Sequence, residues 1–279
     1  MTDWGAILSG DLAVPAGAAV PDLAEELCAM LASPDPAIRD DTAYPVLAIW
    51  IGRGVLDGHL DGLGARLVTG MRQGEIYERT FAAMMLSWVI LRDARTGELS
   101  DVTVCRWLDA FASWWPHEED LRGWDSQLGW LHAVAHGADA LRAFARSPRL
   151  SHENLLGLLE LAADRLMADA GYLFAHGEDD RLAYALATVL TRNELSATDV
   201  TRWLRRITAA IETGEPGPVP PWAANTSRTL AALYIFADRG VRWYEPDIGT
   251  LGDLVPVPHA GPVQEAIAST LRLPWRGLG

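Results

Sequence analysis

The segment Asp120–Asp139 reads DLRGWDSQLGWLHAVAHGAD and gathers the residues of this chain best suited to chemistry. His132, His136 and Asp139 recur at i, i+4 and i+7, and Asp125 lies seven residues before His132. At about 3.6 residues per turn, this spacing predicts four side chains on one helix face. Two imidazoles and one or two carboxylates there could bind a divalent metal or move protons. No Lys, Arg, Asp or Glu occurs from Ser126 to Ala138, so this face is expected to turn toward the core or a cavity, not toward solvent.

Three readings of the histidine pair follow. Imidazoles at i and i+4 can ligate one ion, with Asp139, Asp125 or a carboxylate from another helix completing the set. The HExxH general base is missing, because Ala133, Val134 and Ala135 stand between the histidines. Without a metal, a histidine beside a carboxylate suits general acid/base work, with His132, His136, Asp139, Asp120 and Arg122 as the catalytic set. The third reading is structural, with both rings donating to partners across packed helices.

Around this core, Asp120, Arg122 and Asp125 form a candidate rim, and Trp124 and Trp130 a candidate apolar wall for a ligand. Twelve tryptophans serve packing first, since each carries a large apolar surface. The run His176-Gly-Glu178-Asp179-Asp180-Arg181 offers Asp179 or Asp180 as a helix N-cap. The acidic clusters make a poor match to the paired Mg²⁺ boxes of terpene and prenyl enzymes. Arg39-Asp40-Asp41 and Glu78-Arg79 are read as ion pairs that bridge adjacent helices. No Gly-rich phosphate loop and no nucleophile elbow occurs.

The elements that position these residues are helical. Apolar positions recur with helical period over about Asp22–Leu31, Asp41–Gly54, His59–Met71, Glu75–Arg92, Asp101–Trp115, Asp125–Arg146, Ser151–Asp169, Asp180–Thr191, Thr198–Thr213, Thr226–Arg239 and Pro262–Leu271. Pro21 suits a helix start, and Ser100 or Asp101, Asp125 or Ser126, and Ser151 are expected N-caps. The connector Gly214–Trp222 and the tail from about 240 to 261 are rich in Pro and Gly. The expectation is one all-α domain over residues 1–279, built as a HEAT-like α/α superhelix of stacked antiparallel pairs.

Length and composition limit the rest. The chain has 279 residues, 49% of them hydrophobic, which is enough for a sizeable core. A net charge of −14 argues against nucleic acid and anionic membranes as partners. No long apolar run or basic leader is present, and Cys28 and Cys105 read as ordinary thiols, so a cytoplasmic protein is expected. The absence of Lys and the wealth of Ala, Leu and Arg suggest a GC-rich bacterial source.

A family resemblance rests on Ile38-Arg39-Asp40 with Tyr44-Pro45, on Glu78-Arg79-Thr80-Phe81-Ala82, and on Asp120-Leu-Arg122-Gly123. It continues through Gly129-Trp130-Leu-His132-Ala133-Val-Ala135-His136-Gly-Ala-Asp139, Glu178-Asp179-Asp180-Arg181-Leu182, and Asn225 with Leu233-Tyr234. Between about Asp22 and Arg239 the chain resembles the bacterial family catalogued as domain of unknown function 2785. Arg79-Thr80-Phe81 departs mildly from the Arg-Ser-Phe expected there. The resemblance implies a HEAT-like helical fold and no particular activity.

The function expected from the residues is small-molecule binding on a concave face, with acid/base or metal-assisted hydrolysis, cyclisation or isomerisation and no organic cofactor. The alternative is a non-enzymatic helical scaffold that grips a protein or peptide.

Overall fold

The computed structural model describes residues 2–169, 171–214, 217–245 and 250–273. Parts of the Pro/Gly connector and of the C-terminal tail therefore lie outside the described residues. The elements are α1 (Trp4–Ser9), α2 (Val20–Leu31), α3 (Pro36–Ile38), a π-turn over Arg39–Ala43, α4 (Tyr44–Gly52), α5 (Leu60–Gly70), α6 (Ile76–Thr96) and α7 (Asp101–Trp114). A two-residue hairpin follows, β1 (Trp124–Asp125) and β2 (Gly129–Trp130), and then α8 (Ala133–Arg146), α9 (His152–Met167) and α10 (Glu178–Leu190). The chain continues with α11 (Asp199–Arg202), α12 (Leu204–Glu212), α13 (Pro221–Arg239), the pair β3 (Tyr244–Glu245) and β4 (Thr250–Leu251), and α14 (Ala260–Leu271). The fold is all-α, as the periodicity predicts.

Helix starts follow local chemistry. Ser100 accepts from the Thr103 amide, and Ser151 and Asn154 form a reciprocal capping box. Pro21 sits in the first turn of α2. Asp179 and Asp180 do not cap α10. Gly177, at φ 79°, takes the cap position, and both aspartates fall inside the first turn.

Alternate helices pack side by side. α4 lies against α6, α6 against α8, α8 against α10, and α10 against α13. Behind this layer, α5 packs on α6 and α7, while α9 packs on α8, α10, α12 and α13. α8 can sit centrally because its buried positions are mostly small: Ala133, Ala135, Ala138, Ala140, Ala143 and Ala145. Gly137 takes this furthest, since a Cβ there would lie 1.8 Å from Nε1 of the buried Trp115. Trp115 instead lies flat on α8 and donates to the Ala133 carbonyl at 3.1 Å.

A smaller apolar cluster (Ile76, Tyr77, Leu121, Leu131, Ala133, Val134 and Phe174) carries the hairpin at the end of α8. Among the described residues, no helix is long and apolar enough to cross a membrane. Cys28 is buried and Cys105 is partly buried, and both are free thiols.

Candidate functional site

α8 begins at Ala133, not near Asp125. The Asp125 carboxylate accepts from the amides of Gln127 (2.8 Å) and Leu128 (3.0 Å), and Gly129 adopts φ +73°. Side-chain capping of a turn and a left-handed glycine stabilise a hairpin over the helix that periodicity alone predicts. Trp124 pairs with Trp130 across it, their rings edge to face at 4.7 Å.

Arg39 holds this hairpin from beneath. Its fully buried guanidinium donates to the carbonyls of Ser33, Leu128 and Trp130 and pairs with Asp40 at 2.7 Å. It also lies over the rings of Tyr77 and Phe81. Arg79, read from sequence with Glu78, instead makes a bidentate contact with the buried Glu118 at 2.7 and 2.9 Å. Burial raises the Glu118 pKa, but Arg79, Trp114 Nε1 and the Asp120 amide outweigh it and hold the carboxyl below its usual range.

The chain leaves the hairpin and enters α8 through His132, at φ 51° and ψ 38°. A side chain bearing Cβ pays roughly 1–2 kcal/mol for this left-handed conformation. His132 stacks on Trp130, with centroids 4.4 Å apart and planes 6° from parallel. His136 follows one turn later, 5.4 Å from the His132 ring and edge to face with Phe81 at 5.1 Å.

Both histidines are buried, at 8% and 4% exposure, as the charge-free stretch predicts. The Nδ1 atoms of both lack a hydrogen-bond partner among the described residues. Burial, then the positive charges of Arg181 and His176, push His132 down to about 4. Burial first, then His132 and Arg181, lower His136 well below the usual imidazole value, against a hydrogen bond with the Thr80 backbone. Among the described residues neither ring pairs with a carboxylate, contrary to the arrangement expected for general acid/base work.

The trio His132, His136 and Asp139 is not assembled as a metal site. Arg181 of α10 takes the Asp139 carboxylate at 3.0 Å. Seven residues along a helix is also about 10 Å of rise, too far for His132 and Asp139 to share an ion. Burial raises the Asp139 pKa more than Arg181 and Arg142 lower it. Among the described residues, no group of three or more His, Cys, Asp or Glu side chains converges to hold a metal.

The rim does come together. Arg122 contacts Asp120 at 2.7 and 2.9 Å and Asp125 at 2.7 Å. The Arg122 hydrogen bond first of all lowers the Asp120 pKa, while the Gln127 and Leu128 amides lower that of Asp125. Trp124 and Trp130 remain 47% and 40% exposed beside these pairs. Asp125 joins Arg122 from the hairpin and not from the helix face of His132.

A third histidine, which spacing did not place there, enters the site. His176 meets Trp130 edge to face at 5.9 Å and His132 at 6.4 Å. Its Nδ1 lies 3.3 Å from the Tyr172 hydroxyl and 3.9 Å from Oε1 of the fully buried Glu178. Glu178 Oε2 accepts from the His176 amide at 2.7 Å. Gly123 closes the group by donating to the Tyr172 hydroxyl. A Cβ on Gly123 would lie 2.5 Å from both His176 Nδ1 and Glu178 Oε1. The sequence signal was the run from His176 to Arg181, but nothing in it locates Trp130. Cavities of about 310 and 450 Å³ lie elsewhere, the first lined by Cys28, His59 and Arg66 and the second by Ile7, Val14 and Leu23.

Residues 68–235, more than half of the chain, match the family described as Protein of unknown function (DUF2785), and the chain belongs to that family. The match spans the hairpin, both α8 histidines, His176 and Arg181. No curated protein and no solved structure matches the chain.

Proposed function

We propose that this member of the DUF2785 family binds a small organic molecule on the wall formed by Trp124, Trp130, His132 and His176. We also propose that it does proton chemistry there, a hydrolysis, cyclisation or isomerisation without an organic cofactor. The observation that carries this reading is His132. A strained left-handed residue with its ring stacked on an exposed tryptophan and a buried nitrogen left unpaired is a costly arrangement for packing alone.

The proton-handling role passes from His132 to His176. His132 and His136 are held neutral by burial and by nearby positive charge, so they suit hydrogen bonding to a ligand. His176 has the geometry of a positioned acid or base, with a tyrosine hydroxyl and a buried carboxylate behind its Nδ1 and an exposed ring edge toward the tryptophans. The layer α4, α6, α8, α10 and α13 would form the concave face of a superhelix. A cytoplasmic setting, where the free thiols of Cys28 and Cys105 would stay reduced, is part of this reading.

A thermal-shift screen of metabolite mixtures tests the reading. Ligands should raise the melting temperature of the wild type and of His176→Gln but not of Trp130→Ala, and any turnover of a hit should vanish in His176→Gln. Hits that stabilise Trp130→Ala equally would refute the site. Exposed Trp124 and Trp130 also have the character of protein-interface anchors. That second reading predicts capture of a protein partner that Trp130→Ala abolishes, with no small-molecule hits at all.

A further inference from the structure

We infer that the wall takes an organic cation, an alkylated ammonium group seated against Trp124 and Trp130. This inference rests on the small-molecule reading and adds the chemical class.

The aromatic geometry is angular. Trp124 stands at 74° to Trp130 with centroids 4.7 Å apart, and His176 stands at 83° to it with centroids 5.9 Å apart. His132 stacks on Trp130 and fixes its plane. Both indoles keep a large share of their surface open to solvent. Rings that meet at steep angles bring more than one π system within about 6 Å of a single cation, the range over which the ring quadrupole attracts it.

The charge of the site is negative. Asp120 and Asp125 share the single guanidinium of Arg122, which leaves one rim carboxylate uncompensated. Glu178 adds another. It is fully buried, with Oε1 3.9 Å from His176 Nδ1 and without a hydrogen bond among the described residues. A Cβ on Gly123, the residue before Trp124, would lie 2.5 Å from that oxygen, so the carboxylate sits directly against the base of the hairpin. The arginines of the surrounding elements are matched by other acids: Arg39 by Asp40, Arg79 by Glu118, Arg181 by Asp139 and Arg228 by Asp179. Even a protonated His176 would leave the sum negative. An anion would meet repulsion here, and a cation an attraction that burial of Glu178 strengthens.

The same contacts favour an alkylated over a primary ammonium. Arg122 occupies the rim carboxylates and Glu178 lies behind His176, so the exposed surface offers indole instead of oxygen. A primary ammonium would give up hydrogen bonds to water there without replacement, whereas a trimethylated one donates none.

The test uses the full chain and four probes: choline, its neutral tert-butyl analogue dimethylbutanol, the matching dimethylbutanoate anion, and ethanolamine. Dissociation constants are read by ligand-observed NMR. Choline should bind the wild type about tenfold more tightly than its neutral analogue, with the anion and ethanolamine weaker than choline. Trp124→Leu and Trp130→Leu keep an apolar side chain but remove a ring, and each should bring the choline preference close to one. Trp130→Phe should keep part of it, and Glu178→Gln should narrow it. If Trp130→Leu or Glu178→Gln does not fold, Trp124→Leu, at an exposed position, carries the test. Equal binding of choline and its neutral analogue, lost together in Trp130→Leu, would overturn the cation inference and leave the aromatic site standing. A choline preference retained in folded Trp124→Leu and Trp130→Leu proteins would overturn it, as would tighter binding of ethanolamine or the anion. No binding by any probe would overturn it too, while Trp130-dependent hits in the thermal-shift screen would still support the small-molecule reading.

Discussion

Acid should destabilise this fold through its buried histidines. His132 titrates near 6.5 in an unfolded chain and at about 4 in the folded one. Between those values the unfolded state binds the proton that the folded state refuses, so stability falls as pH falls through this window. The contribution is fully present above pH 6.5 and gone by pH 4. At 1.36 kcal/mol per pH unit, that drop corresponds to about 3 kcal/mol for His132. His136, lowered for the same reason, acts with the same sign. This is a large share of the 5–15 kcal/mol that typically separates folded from unfolded domains. Urea unfolding followed by tryptophan fluorescence, at steps from about pH 7.5 to 4.5, measures it. His132→Gln removes the titrating group while keeping a polar side chain, and the carboxylates common to both proteins cancel in the comparison. The loss of stability across the window should be smaller in His132→Gln than in the wild type by about 2–3 kcal/mol. Equal pH slopes for the two proteins would refute the claim that His132 is held neutral by burial.

Three further outcomes follow from the packing. Arg39→Met strips donors from three backbone carbonyls and leaves Asp40 unpaired, so it should cost about 3–5 kcal/mol in chemical denaturation. It should also lose the near-UV signal of the Trp124–Trp130 pair. Gly137→Ala, which helix propensity alone would favour by about 1 kcal/mol, should instead destabilise by roughly 1–3 kcal/mol. Its Cβ collides with the Trp115 ring, and a rise in melting temperature would contradict that packing. Ser151→Ala should cost about 1 kcal/mol through loss of the capping box, read from the denaturation midpoint, while Ser151→Gly should cost only a few tenths.

The sequence by itself determined what is local. Helical periodicity placed α2, α4 to α7, α9, α10 and α14 to within about a turn, but it ran α11 and α12 together, began α13 five residues late and did not mark α3; Ser100 and Ser151 marked starts that the structure bears out. The charge-free stretch from Ser126 to Ala138 announced buried histidines, and Asp120, Arg122 and Asp125, neighbours in sequence, form ion pairs in the structure. Spacing misled at Asp125 because two local signals competed. The apolar period ran on, but the aspartate turn and the left-handed Gly129 stopped the helix at Ala133.

Tertiary structure decided every partner brought in from another helix. Arg181 claimed Asp139, Arg39 secured the hairpin carbonyls, and His176 with Glu178 arrived beside Trp130. Periodicity states which face a side chain occupies, but not which helix will lie against that face. Protonation depends on that neighbour, through the water it excludes and the charge it brings. His132 and His136 were therefore legible as buried residues, while the lowering of their pKa values and the approach of His176 to Trp130 required the packed chain.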